Sequence, residues 1–177
     1  MVTDNNFVRS GRERIADDNY QTVDHRCVQA LVETVNMSGG TKVVDVCSPQ
    51  GSGIIDYFED TNVEALPCSD AFIDYVDADW IIFNPPYKRD IVDKIIYRQI
   101  QRIVDNQVSC VAALLRTGFD HAKTRKPMFQ TSPYYDGQIK MLFRPLWFID
   151  TDITPIHNYV WHIWSRGIKS CQKVWYW

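Results

Sequence analysis

Val43-Val44-Asp45-Val46-Cys47-Ser48-Pro49-Gln50-Gly51-Ser52-Gly53-Ile54-Ile55 is the stretch on which the fold turns. Its β-branched opening reads as a short strand over Val43 to Cys47, and Pro49, Gly51 and Gly53 read as a turn. Ile54, Ile55 and Phe58 then begin a helix. Strand, glycine turn and helix in that order make the first unit of a doubly wound sheet. Upstream, Val28, Leu31, Val32 and Val35 recur at helical spacing, with Asp24 or Thr22 as the N-cap and Gly39-Gly40 as the stop. Downstream, Val63 to Leu66 is a weaker strand, Trp80 to Phe83 a buried one, and Ile91 to Val104 a long amphipathic helix. Val108 to Leu115 reads as a strand buried on both faces. Ile139 to Phe143 and Tyr159 to Trp164 follow as strands, the latter alternating Tyr159, Trp161, Ile163 against Val160, His162, Trp164. The segment from Pro67 to Asp79 is too short and too acidic for a full crossover helix plus a strand. These elements predict a Rossmann-like α/β fold, a mostly parallel three-layer sheet whose ligand lies at the carboxyl ends of the strands.

Asn84-Pro85-Pro86-Tyr87 occupies one such end, directly behind Trp80-Ile81-Ile82-Phe83. The prolines have fixed φ and no N–H, so the turn holds its shape. The Asn84 side-chain oxygen and the Pro85 carbonyl offer two acceptors for the two protons of a conjugated exocyclic amine, and Tyr87 offers a face for a planar ring drawn out of a helix. The plainer reading is a loop of two prolines after a buried strand.

A chain of 177 residues with 45% hydrophobic and 23% charged residues suits one globular domain, with residues 1–16 as a polar arm or short helix. No apolar run approaches the roughly 20 residues that span a bilayer, and the polar start lacks a signal-peptide core, which predicts a soluble, cytoplasmic protein. Cys27, Cys47, Cys68, Cys110 and Cys171 form no close pair and read as reduced thiols, and the four histidines, His25, His121, His157 and His162, are dispersed, leaving neither a metal site nor a nucleophile triad. A net charge of −3 argues against simple coating of nucleic acid. Lys88 and Arg89 behind the proline turn, and Arg116, Lys123, Arg125 and Lys126 in one later stretch, read either as solvated basic loops or as a phosphate-binding surface. The tail aromatics Trp161, Trp164, Trp175, Tyr176 and Trp177 read as the edge of the core, or, if exposed, as a dimer contact.

Taken in order, the helix preceded by Tyr20 and Thr22, the turn from Asp45 to Gly53, Asn84 to Tyr87, Arg144-Pro145-Leu146-Trp147 and Val160 to Trp164 resemble the small phage-type N6-adenine DNA methyltransferases. The similarity covers nearly the whole chain. It implies a class I methyltransferase sheet trimmed between its first and fourth strands, S-adenosylmethionine as cofactor, DNA as substrate, and the cytoplasm of a host cell if the gene is a phage's. It implies cofactor contacts from Tyr20, Thr22, Asp45, Cys47 and Gly51, with Glu64 on the ribose and Asp70 on the adenine. Asn84, Pro85, Pro86 and Tyr87 become the catalytic turn, and the basic residues named above the nucleic-acid surface. Where that family has glycine four residues after the acid, this chain has Pro49, which neither adopts positive φ nor donates an N–H. A catalytically silent binding subunit is therefore one alternative, and a methyltransferase of RNA or of protein glutamine is another, since families of both kinds carry Asn-Pro-Pro-Tyr. No inserted recognition domain is visible, so either the basic stretch Arg116 to Lys126 is a minimal reader, or specificity is low, or a second copy or a partner chain completes target recognition.

Overall fold

The structure, a computed structural model, describes residues 22–48, 52–147, 157–166 and 173–177. The arm, Tyr20, Pro49, Gly51 and Cys171 lie outside the described residues, as does the side chain of Arg89. Helix α1 (His25–Val35) precedes strand β1 (Lys42–Asp45), the single turn α2 (Gly53–Asp56), β2 (Glu64–Pro67) and β3 (Trp80–Phe83). Helix α3 (Arg89–Val104), β4 (Cys110–Arg116), β5 (Tyr135–Lys140), β6 (Tyr159–Ser165) and β7 (Lys173–Tyr176) complete the order. The seven strands form one sheet, β2-β1-β3-β4-β6-β5-β7. Strands β2, β1, β3 and β4 run parallel, β6 is antiparallel to β4 and to β5, and β7 is parallel to β5. The doubly wound, mostly parallel reading holds.

Both faces of the central strands β1, β3, β4 and β6 are covered, which is why these read as continuous apolar runs, while the edge strands β2 and β7 are largely exposed. Ile81, Phe83, Val111, Ala113, Leu115 and Trp164 pack against α3 with Met128 and Phe129. Ile82, Ala112, Leu114, Tyr159, Trp161 and Ile163 pack against α1 and α2. The alternation in β6 is this division between two buried layers. Trp161 and Trp164 are fully buried, and each satisfies its indole N–H on a backbone carbonyl, Cys27 at 2.7 Å and Met128 at 2.6 Å.

Several local expectations need correction. Asp24 caps α1, its carboxylate accepting from the Arg26 N–H, but the helix ends at Asn36 in the left-handed region rather than at Gly39-Gly40. The strand expected at Ile139 to Phe143 starts at Tyr135, across a bulge at Gly137. A Cβ on Gly137 would lie 1.9 Å from the Lys173 carbonyl, so only glycine admits β7 there. Of the tail, Trp161 and Trp164 are core, while Trp175 and Tyr176 lie on β7, an edge strand that periodicity did not reveal.

The trimmed stretch between β2 and β3 contains neither helix nor strand. Its backbone is held by α3 instead. Gln99 donates to the Ala71 carbonyl at 2.7 Å, and the buried Arg102 donates to Gln99, to Gln107 and to the Ile73 and Asp74 carbonyls. Side-chain donors thus replace the pairing that a crossover would have supplied. No described helix is long and apolar enough to cross a membrane.

Candidate active site at the carboxyl edge of the sheet

Asp45 ends β1 and is buried. Its carboxylate accepts from the Cys47 N–H at 3.0 Å and from the Ser52 hydroxyl at 2.9 Å, so one acid spans both ends of the glycine turn. Burial pushes its pKa up to about 7, and the two hydrogen bonds only partly oppose that. Burial also raises the Cys47 thiol well above its ordinary range, so this cysteine is a neutral thiol at the edge rather than a nucleophile. Next door, the Cys68 N–H donates to the Asp45 carbonyl at 2.7 Å, bringing the end of β2 alongside.

Thr22 stands beside this turn because Gly53 lets it. A Cβ on Gly53 would sit 2.0 Å from the Thr22 carbonyl oxygen and 2.8 Å from the Val23 Cα. The close approach that the glycine permits is to the chain itself. Thr22 is 1% exposed, and its hydroxyl is buried with no hydrogen-bond partner among the described residues. A buried hydroxyl left this way costs about 1–3 kcal/mol, which a polar ligand group at this edge would recover.

Asn84 leaves β3 at the same edge and is 6% exposed. The Tyr87 hydroxyl lies 2.8 Å from Asn84 Oδ1 and 2.8 Å from the Leu114 carbonyl of β4, and its single proton serves one of the two at a time. Burial holds the phenol well above its ordinary pKa, so it remains a donor at all ordinary pH. The Arg116 guanidinium sits 4.9 Å over the Tyr87 ring, and Tyr159 packs against that ring edge-on at 5.8 Å. Trp147 backs Tyr159 at 4.8 Å, so the Arg-Pro-Leu-Trp segment buttresses the proline turn through two aromatic rings. Arg116 Nε is buried and unpartnered among the described residues.

The carboxyl edge therefore gathers Thr22, Asp45, Cys47, Asn84, Pro85, Pro86, Tyr87 and Arg116. Glu64 does not join them. It opens β2 opposite Lys42, about 10 Å from the carboxyl edge at the ordinary strand rise. The acid that follows the correct end of β2 is Asp70, exposed, with its carboxylate accepting from the Phe72 N–H at 2.8 Å. Among the basic residues, Lys88, Lys123 and Lys126 are exposed. Arg125 is engaged inside the protein, paired with Asp93 at 2.8 Å, donating to the Phe119 carbonyl at 2.9 Å and stacked 3.5 Å from the Phe119 ring. Sequence reasoning missed Ser52, Leu114 and Tyr159. Only Ser52 carried a signal, as a small polar residue between the two glycines.

Comparison with known proteins rests on structure, since no protein-family profile and no curated sequence matches the chain. The fold is similar to phosphoethanolamine N-methyltransferase 2 of Haemonchus contortus, solved with phosphomonomethylethanolamine and S-adenosylhomocysteine, at TM-score 0.52 and 11% identity over 85% of this chain and 39% of that one. It is similar to an RNA methyltransferase candidate of Pyrococcus horikoshii at TM-score 0.53 and 10% identity, over 80% of this chain and 82% of that one. A modification subunit of a candidate type I restriction enzyme of Vibrio vulnificus gives TM-score 0.53 and 12% identity, over 89% of this chain and 46% of that subunit. The chain thus spans less than half the length of the first and third of these. Sheet order and likeness together give it the class I, Rossmann-like fold of the S-adenosylmethionine-dependent methyltransferases.

Proposed function

We propose that this chain transfers a methyl group from S-adenosylmethionine to the exocyclic N6 amine of adenine in DNA. The observation that carries the reading is the meeting of Asn84 and Pro85 with the Asp45 turn on one sheet edge, beside a buried Thr22 hydroxyl that has no partner among the described residues. The donor set fits the cofactor. Thr22, Asp45 and Cys47, with Tyr20 and Gly51, would hold its methionine and adenosine parts, and Asp70 rather than Glu64 would take the ribose hydroxyls. When bound, the cofactor supplies an electrophilic methyl on a sulfonium.

The chain's own contribution is positional. Asn84 Oδ1 and the Pro85 carbonyl accept the two amine protons, which draws the nitrogen lone pair out of conjugation and aims it. Stiff prolines hold these acceptors at no further entropic cost during reaction. The one proton that the methylated amine must shed would pass to solvent, so no strong base is needed at this edge. Lys88, Arg89, Arg116, Lys123 and Lys126 would meet phosphates, and Arg125 would support them through Phe119. Charge favours this side of the edge, since the stretch 43–87 carries nine acids and no Lys or Arg. A partner chain or second copy would complete target recognition, a reading that the likeness to a restriction-enzyme modification subunit supports.

RNA is the second substrate to test, because the likeness to an RNA methyltransferase candidate extends over 82% of that chain. Incubation of the protein with cofactor and either duplex DNA or RNA, followed by nucleoside mass spectrometry, should yield N6-methyladenine from DNA. Methylation confined to RNA would move the reading to that substrate. Titration with S-adenosylhomocysteine is the parallel measurement, and absence of binding would identify a silent subunit. Replacing Asn84 by Ala should abolish transfer and preserve cofactor binding.

A further inference from the structure

We propose that Arg116 is a phosphate subsite inside this centre: its guanidinium takes a phosphate flanking the target adenine itself, so the unit recognised is a phosphorylated nucleotide rather than a bare ring. The consequence for turnover rests on the nucleic-acid reading above, and the contact is testable without it.

Arg116 stands apart from the other arginines in what the protein gives it to hold. Every other arginine whose side chain is described donates to a protein oxygen. Arg26 donates to Asp24, Arg98 and Arg102 to the Ile73 and Asp74 carbonyls, Arg125 to Asp93, Arg144 to Asn158 and Arg166 to the Val108 carbonyl. Arg116 has no hydrogen bond and no ion pair among the described residues, and its Nε is buried without an acceptor. A guanidinium is a rigid fork of donors that keeps its charge at all ordinary pH. Left half-buried with no acceptor and no counter-charge from the protein, it is matched to an anion from outside.

Its placement says which anion. Arg116 ends β4 opposite Tyr159 of β6, and the Thr117 N–H donates to the Asn158 carbonyl at 2.9 Å, so the backbone under it is fixed. From there the guanidinium lies 4.9 Å over the Tyr87 ring, whose hydroxyl is 2.8 Å from Asn84 Oδ1. The cation is thus about one aromatic ring away from the side chain proposed to grip the amine. A nucleotide turned out of a helix brings its own phosphates with it, one sugar away from its base, which suits this separation. The rings of Tyr87 and Tyr159 also exclude water on one side, where a forked pair with phosphate is stronger and less screened than at the exposed Lys88, Lys123 and Lys126.

The contact is read first without turnover. The Arg116 Nε–H resonance, assigned by its loss in Arg116→Gln, is followed in a nitrogen-15 spectrum of the protein with S-adenosylhomocysteine. Deoxyadenosine 5′-monophosphate or 3′-monophosphate should move it, and deoxyadenosine should not. Equal shifts with nucleoside and nucleotides, or no shift with any, overturn the proposal. Turnover then carries the test to DNA. Once the methylated adenine is mapped, a neutral methylphosphonate in place of one flanking phosphate should lower kcat/KM by about tenfold or more in wild type and in Lys123→Ala. In Arg116→Gln the same replacement should cost less than about twofold, because the charge that the phosphate meets is already gone. Equal losses in all three proteins refute the contact. If the wild type methylates neither DNA nor RNA while a monophosphate moves the resonance, the methyltransferase reading fails and the phosphate subsite stands.

Discussion

A methyl group added to Gly53 would have nowhere to go. Its nearest neighbours, the Thr22 carbonyl oxygen at 2.0 Å and the Val23 Cα at 2.8 Å, are backbone atoms, so no side chain can rotate away, and ordinary contact needs 3.4 Å or more. The strand-to-helix turn and the segment entering α1 must part by over an ångström. Overpacking of this kind costs about 1–3 kcal/mol, and backbone obstruction places it at the upper end. Alanine returns up to about 1 kcal/mol over glycine in a helical turn. The net loss is about 2 kcal/mol, or about 4–8 °C in Tm for a protein of this size. Because the displaced residue is Thr22, Gly53→Ala should also weaken S-adenosylhomocysteine binding about tenfold, in line with the lost hydrogen bond. Gly40→Ala is the control, with φ +80 and no atom within 4 Å of the added carbon. It carries only left-handed strain, about 1–2 kcal/mol, and should leave cofactor binding unchanged. Scanning calorimetry and calorimetric titration read both. An unchanged Tm for Gly53→Ala would refute the close approach, and equal binding losses in the two variants would detach Thr22 from the cofactor.

The remaining predictions concern pH and packing. Burial lowers the His162 pKa from 6.5 to about 4, so the folded state resists its protonation, and about 3 kcal/mol of stability is lost as pH falls from 6.5 through 4. Asp45 runs the other way: raised from 3.8 to about 7, it contributes stability that is complete below 3.8 and lost as pH rises through 7, about 4 kcal/mol. The two slopes oppose one another between pH 4 and 6.5, so wild-type Tm should be nearly flat there, and Asp45→Asn should expose a Tm that climbs with pH; parallel profiles would refute the assignment. Arg125→Ala should lower Tm by breaking the Asp93 pair and the Phe119 stack, while Lys123→Ala should leave Tm unchanged and weaken DNA retention in a salt-dependent manner. Equal effects on stability would undo the distinction drawn between them.

How much could be read without coordinates follows the range of the forces involved. Strand β3, the helix behind it and the two-faced alternation of β6 are written in local periodicity, because burial on one or both faces leaves its mark every second or every third to fourth residue. The proline turn was equally legible, since Pro85 and Pro86 restrict their own backbone wherever they occur. Glu64 failed for the opposite reason: a strand's carboxyl end is known only once its register is known, and pairing with Lys42 puts this acid at the far rim. Strand β7 was hidden because its pairing depends on a bulge at Gly137, some 36 residues before Lys173. Nor could composition tell a free cation from a spent one, as Arg125 and Lys123 differ only in what α3 and Phe119 bring near them. Residue type and spacing determined the element sequence apart from β7, and the chemistry on offer at Asn84 and Asp45. Which groups share the edge was decided by contacts across strands, where neighbours are distant in the chain and no local rule reaches.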